Sequence, residues 1–176
     1  LILAAGYGTR LKNLTNNINK VLLPINNKAI ISHIIDMFPI NYDVVIALGY
    51  EGESIKEYCK ITHQNRNFIF VDVDVFDSEN SGPGYSALMC SEHLQRPFYF
   101  ITGDCVIDSP LPYLDGNWLG CYPTSYPEKY STVKLSGNDI IGYSNKNENG
   151  YDMAFIGLAG IWDYEVFWEQ LEDNII

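Results

Sequence analysis

The chain has 176 residues, 47% of them apolar and 14% aromatic, which suits one globular unit with a sizeable core and excludes a disordered chain. A formal net charge of -11 argues against nucleic acid or an anionic membrane surface as partner, since either needs a basic face. No run approaches the roughly 18 apolar residues of a membrane span and no basic segment precedes an apolar one, so a cytoplasmic protein without a membrane partner is expected.

LILAA (1–5) is a short apolar run ending in Gly6, the pattern of a buried parallel strand followed by a loop. Lys28 to Phe38 carries Ile30, Ile31, Ile34, Ile35 and Phe38 at helical spacing and is stopped by Pro39. Residues 43–49 read as a second buried strand, Ser54 to Ile61 as a helix and 67–74 as a third strand. ENSGPG (79–84) reads as a turn, Tyr85 to Leu94 as a helix, and FYFITGDCVID (98–108) as a buried strand running into acidic residues. This alternation predicts a parallel sheet with right-handed crossovers. From about residue 117 the pattern changes to short strands, WLGCYPT, STVKLS, DIIGYS and AFIGLAGIW, closed by a helix from Glu165 to Leu171. The whole chain, 1–176, is expected to be one domain, incomplete at both ends, with halves 1–116 and 117–176. Cys59, Cys90, Cys105 and Cys121 are widely spaced and read as reduced structural thiols.

A loop leaving a parallel strand lies at the carboxyl edge of the sheet, where open α/β folds bind ligands. Gly6 and Gly8 let the backbone bring its amides close to an anion, and Thr9 adds a hydroxyl donor. Phosphate is the natural guest. No GKT or GKS follows, and Leu11 stands where a third dinucleotide glycine would, so neither the P-loop nor the dinucleotide pattern applies. A glycine turn with two solvated cations is the plainer alternative.

The run Leu3-Ala4-Ala5-Gly6-Tyr7-Gly8-Thr9-Arg10-Leu11, followed by Lys20 and VLLPINNKAIISHII, resembles the signature of nucleotidyltransferases that make nucleotide-sugars and related activated precursors, including the phosphocholine type. The resemblance implies an α/β fold, a Rossmann-like three-layer sandwich with a mainly parallel mixed sheet of the nucleotide-diphospho-sugar transferase type. It implies that Leu3, Ala4, Ala5, Gly6, Gly8 and Thr9 bind nucleotide, that Arg10 holds the departing pyrophosphate, and that Lys20 bridges the two reacting phosphates. The family usually has proline before this lysine. Asn19 stands there instead, which puts the stiffness of the loop in doubt.

By the same resemblance, SGPGYSALMCSEHL (81–94) matches the family's second glycine-rich stretch, so Gly82, Gly84 and Ser86 are expected against the nucleobase. GDCVID (103–108) resembles the segment bearing the metal acid, which makes Asp104 the expected magnesium ligand. Asp108 reads as a turn or cap. Lys146, in IIGYSNKNENG, and Gly160, in the following strand, are the expected acceptor contacts, with residues 117–176 forming the acceptor-binding half and 1–116 the nucleotide-binding half. The family's second metal acid has no match before Ile176; Asp163 and Asp173 fit poorly by position. His33, His63 and His93 show no ligand or catalytic spacing.

The expected partners are a nucleoside triphosphate, with CTP favoured, and a phosphorylated sugar or small alcohol; a homo-oligomer stays open. The reaction is attack of a phosphate monoester on the α-phosphorus, releasing pyrophosphate, in a surface polysaccharide or lipid precursor pathway. Two alternatives remain. One is a nucleotide-sugar-dependent glycosyltransferase whose metal acids are Asp72 and Asp74, which share a strand face in VDVDVFD, or Asp104. The other is a catalytically inactive nucleotide-binding regulatory domain.

Overall fold

The computed structural model describes residues 1–74, 82–148 and 150–175. Strand β1 (Ile2–Ala4) runs into the glycine loop, which tightens into short 3-10 turns over Thr9–Thr15 and Lys20–Leu22. A hairpin of β2 (Pro24–Ile25) and β3 (Lys28–Ala29) leads into helix α1 (Ile30–Asp36). Next come β4 (Val44–Leu48), α2 (Gly52–Thr62), β5 (Phe68–Asp72), α3 (Pro83–Leu88) and β6 (Phe98–Thr102). Strands β7 (Trp118–Pro123), β8 (Thr132–Ser136), β9 (Asp139–Ser144) and β10 (Met153–Ile161) precede the closing helix α4 (Tyr164–Ile175).

The strand order is β5-β4-β1-β6-β10-β8-β9, with β7 also paired to β10. The first four strands are parallel, and every pairing made by β10, β7, β8 and β9 is antiparallel. The sheet is therefore mixed and Rossmann-like. Its period-two alternation sorts the apolar residues to two faces. Ile2, Ala4, Val44, Ile46 and Leu48 pack with Ile31, Ile34 and Ile35 of α1 and Ile55 and Cys59 of α2. Leu3, Val45 and Ala47 pack with Ala87 of α3 and Trp168 of α4. Burial of each large apolar side chain contributes roughly 1.5–3 kcal/mol, so the two faces hold the three layers together.

The structure differs locally from the sequence expectations. Residues 28 and 29 are strand, not the first turn of a helix, because Asn26 (φ 49°) and Asn27 (φ 62°) form the tight turn of a hairpin. The helix expected from Tyr85 starts at Pro83, ends at Leu88, and gives way to a 3-10 turn at Ser91–His93. The strand over 98–108 stops at Thr102, and the remainder leaves the sheet. Part of the expected turn over 79–84 lies outside the described residues. All four cysteines are free thiols, and burial pushes Cys59 and Cys90 up to about 12 and Cys105 to about 11.

Helix α4 is anchored at its start and along its apolar face. Trp168 stacks on Phe98 with centroids 5.2 Å apart, and its indole donates to the Leu94 carbonyl. At its start, Asn117 accepts from the amides of Trp162 and Asp163 and donates to the Asp163 carboxylate at 2.6 Å. Asn117→Ala leaves those groups to water and is expected to cost about 1 kcal/mol. A fall in the melting midpoint of roughly 2–4 °C would register it.

A polar chain sits beneath α1. Tyr58, Ser32 and His63 are linked at 2.9 and 2.8 Å, with the Asp36 carboxylate 3.8 Å from the other ring nitrogen. Ser32 is fully buried, which denies it a substrate and makes the trio a structural brace. Burial lowers the His63 pKa, and Arg66 and Lys28 add to this while Asp36 opposes it. The folded state therefore favours neutral His63: its contribution is complete above the unfolded value near 6.5 and is lost as pH falls below that value and through the lower folded one. Between pH 7.5 and 5.5 the wild-type melting midpoint should fall further than that of His63→Gln; equal falls would remove this role.

Candidate active site

Strand order reverses between β1 and β6: the chain steps outward from β1 to β4 to β5, then returns to β6 on the other side of β1. At such a switch point the two outgoing loops part and leave a crevice at the carboxyl edge. The glycine loop follows β1, and residues 103–108 follow β6. Pairing of Ile2 with Ile101 and Leu3 with Thr102 sets these two exits side by side.

A cleft of about 530 Å³ opens there. Its walls include Leu3, Ala5, Gly6, Gly8 and Thr9 from the first strand and loop, and the cations Arg10 and Lys20. Gly82 and Ser86 face them from the start of α3, and Asp104 closes the β6 side. Ala4 is fully buried on the opposite face of β1 and supports the loop from below. Gly8 adopts φ +67°, and a Cβ there would lie 3.1 Å from Lys20 Cβ, so the lysine rises directly beneath the glycine turn. Thr15 closes the loop by donating to the Gly8 carbonyl.

Lys20 donates to the Asp104 carboxylate at 2.8 Å. Burial would raise the Asp104 pKa. The hydrogen bond and charge of Lys20, helped by Thr102 and the residue's own amide, outweigh that and hold the carboxyl below its ordinary value. Asp104 is thus an anion at neutral pH. Arg10 lines the cleft and is exposed, with no hydrogen bond or ion pair among the described residues.

Three expected contacts lie elsewhere. Gly84 faces α4, where a Cβ would meet Ile175 at 2.7 Å, so it serves helix packing and does not line the cleft. Gly160 lies against the indole of Trp118, and bulk there would strike that ring. Lys146 is exposed in the turn after β9 and does not line the cleft either. Asp163 follows β10, which runs antiparallel to β6, so it sits at the sheet edge opposite Asp104 and is engaged by Asn117. Asp72 accepts from Lys56 and Asp74 from Tyr85, at the far side of β4 from β1. No cluster of three metal-ligating side chains occurs among the described residues.

Two residues that sequence reasoning passed over, Thr102 and Gly157, and one that it read only as a lost stiffener, Asn19, complete the site. Thr102 lines the cleft beside Asp104, and Gly157 lies at an irregularity of β10 with φ +84°, directly against the Thr102 hydroxyl. Asn19 is wholly buried: it donates to the carbonyls of Ala4 (2.9 Å) and Tyr50 (2.7 Å) and accepts from the Val21 amide (3.1 Å). Asparagine in place of the usual proline therefore ties the loop down by hydrogen bonds. The burial of Asn19 has no sequence signal, since it stands in an asparagine-rich loop.

The family model described as nucleotidyl transferase matches residues 1–112, a stretch that contains the glycine loop, Lys20, the α3 wall and Asp104. The chain belongs to the nucleotidyl transferase family. It is 28% identical over 184 residues to the bifunctional protein GlmU of Methanococcus vannielii, an alignment that spans 100% of this chain and 43% of that protein. It is 27% identical over 148 residues to the D-glycero-alpha-D-manno-heptose 1-phosphate guanylyltransferase of Campylobacter jejuni, covering 80% of this chain and 65% of the relative. The chain thus spans less than half the length of the first of these relatives. The fold matches that of a UDP-glucose pyrophosphorylase solved with UDP-glucose, with TM-score 0.80 and 19% identity over 98% of this chain and 78% of the other. That likeness concerns the fold. No helix among the described residues is long and apolar enough to cross a membrane.

Proposed function

We propose that this nucleotidyl transferase chain joins a nucleoside triphosphate to a phosphorylated sugar or small alcohol and releases pyrophosphate. The observation that carries this reading is the meeting of Arg10, Lys20 and Asp104 with the bare glycine loop at one cleft of an otherwise acidic molecule. Loop amides and Arg10 hold the triphosphate. Lys20 stands where the α-phosphate and the incoming phosphate meet. A phosphate monoester is already anionic at neutral pH, so no protein nucleophile is needed; the residues position two anions and offset their repulsion. Two unit charges 4 Å apart repel by about 4 kcal/mol at an effective dielectric near 20, which is the barrier these cations address.

Asp104, with the Thr102 hydroxyl beside it, suits magnesium, a hard cation that often takes only one or two carboxylates and completes its shell with water and phosphate. When bound, magnesium would neutralise phosphate charge. Asp104 would exchange Lys20 for the metal, which frees the lysine for phosphate.

The name of the C. jejuni relative specifies a guanylyl group and the solved neighbour holds UDP-glucose, so neither fixes the base here. CTP with a small phosphorylated alcohol is the preferred pair. The segment leaving Asp104 walls a second basin of about 830 Å³ with Tyr113, Trp118 and Tyr122 as aromatic surfaces, Asp108 and Asp115 as charges, and no cation among the described residues that line it. Such a lining favours an acceptor whose organic part is neutral or carries an amine. The product would serve a surface polysaccharide or lipid precursor pathway.

Pyrophosphate release should be measured for four nucleoside triphosphates, each against sugar 1-phosphates and phosphorylated amino alcohols, with and without magnesium. Magnesium-dependent release with one pair is expected. Tight triphosphate binding without release for any acceptor would favour the inactive regulatory domain. Transfer of sugar from a nucleotide-sugar without pyrophosphate would favour the glycosyltransferase; the engagement of Asp72 by Lys56 and Asp74 by Tyr85 speaks against it.

A further inference from the structure

Lys20 carries the proposed chemistry on a long, flexible side chain, yet nothing in its own four methylenes fixes where the ammonium points. Its backbone, by contrast, is held from several directions. Asn19 spans three pieces of chain: the end of β1 through the Ala4 carbonyl, the end of β4 through the Tyr50 carbonyl, and the turn that begins at Lys20 through the Val21 amide. Tyr50 returns the grip. Its amide donates to the Ala5 carbonyl at 2.9 Å, and its hydroxyl donates to the carbonyls of Thr15 (3.0 Å) and Asn16 (2.6 Å) at the far end of the glycine loop. The Tyr50 ring also packs against Tyr7, inside that loop, with centroids 4.6 Å apart and the rings tilted by 38°.

We infer that Asn19 and Tyr50 form a latch that sets the position of Lys20 relative to the glycine loop and Asp104, and that both are positioning residues for the transfer reaction. The latch deepens the functional reading above, because its catalytic consequence rests on the role given there to Lys20. Its geometry does not. Asn19 has no exposed surface and each of its bonds satisfies a backbone group, so a side chain without that amide deprives two carbonyls and an amide of their partner. The chain would answer by moving the 19–21 turn, and Lys20 with it. Val21, fully buried directly under Gly103, would move too, and Gly103 adjoins Asp104.

The test uses Asn19→Ala, Tyr50→Phe and Lys20→Ala in the full protein, each checked for a folded amide spectrum. Nitrogen-labelled lysine reports the Lys20 ammonium, which the Asp104 ion pair should protect from rapid solvent exchange in the wild type. Loss of that signal in Asn19→Ala and Tyr50→Phe is expected; an unchanged signal in both would overturn the latch, whatever the reaction proves to be. In the pyrophosphate assay Asn19→Ala should lower kcat/KM about ten- to a hundredfold, mainly through kcat, as for an ångström-scale misplacement. Tyr50→Phe should lose less, in the same direction. Added to Lys20→Ala, the Asn19 change should cost clearly less than it does in the wild type, because the part of its effect that passes through the lysine is already lost. Full additivity would overturn the inference. If Asn19→Ala fails to fold, Tyr50→Phe decides, since it removes only one partly exposed hydroxyl. A fully active Lys20→Ala would remove the functional reading of Lys20 while the ammonium signal still judged the latch.

Discussion

Lys20→Ala is expected to reduce turnover by roughly 10² to 10³, the usual loss for one preorganised charge-stabilising donor. The structure gives reasons to expect the upper part of that range. Lys20 lies under the positive-φ turn at Gly8 and against Asp104, so a shorter side chain removes both a cation and the partner that holds the carboxylate in place. Asp104 would then be less restrained, and burial would act on its carboxyl without the opposing ammonium. Steady-state pyrophosphate release measures the loss. A variant within about twofold of wild type would mean that Lys20 is only a structural ion-pair partner. Lys20→Arg should recover little, because a planar guanidinium fork does not reproduce the compact point charge of an ammonium.

Gly103→Ala is expected to damage fold and site together. A Cβ at residue 103 would stand 2.7 Å from the Leu3 carbonyl oxygen and 2.6 Å from Val21 Cγ1. Neither neighbour can yield easily. Leu3 is in the central strand and accepts the Gly103 amide at 2.9 Å, and Val21 has no exposed surface. The end of β6 must therefore lift from β1, at a cost of about 3 kcal/mol, the upper end of ordinary overpacking. Asp104 is the next residue, so the lift widens its distance to Lys20. The variant should show a lower urea midpoint and, where still folded, at least about a tenfold loss of activity. Wild-type stability with wild-type activity would mean that the β1–β6 contact is not what sets the cleft.

Much of this architecture was legible because parallel strands covered on both faces are written as short apolar runs. LILAA and DVVIALG fall on β1 and β4, and the glycine loop falls at the switch point that their order creates. Asp104 was marked by the resemblance of GDCVID to the family's metal-bearing segment; the strand was expected to run past it over 98–108, whereas it ends at Thr102 and leaves Asp104 in the outgoing loop. Gly84 and Gly160 show where glycine misleads: both permit close approach, but to α4 and to Trp118. Sequence gives the need for space and not the identity of the neighbour. Gly157, which does border the cleft residue Thr102, was hidden because only its φ of +84° sets it apart from other glycines in the same strand. The 24–29 hairpin could have been read from two consecutive asparagines, a pair able to adopt positive φ, but the isoleucines after it suggested an earlier helix start. Asn19 was read as a lost stiffener because hydrogen bonding to distant carbonyls leaves no trace in local sequence.

The central claim is that one sheet edge gathers the loop amides, two cations and an acid to receive a triphosphate. Amide and side-chain resonances of the labelled protein should be followed as magnesium and CTP, then each other triphosphate, are added. Shifts concentrated at Gly6, Gly8, Thr9, Gly82 and Gly103, together with the Lys20 ammonium leaving Asp104, are the predicted result. Saturable shifts confined to other surfaces, or none for any triphosphate, would contradict it.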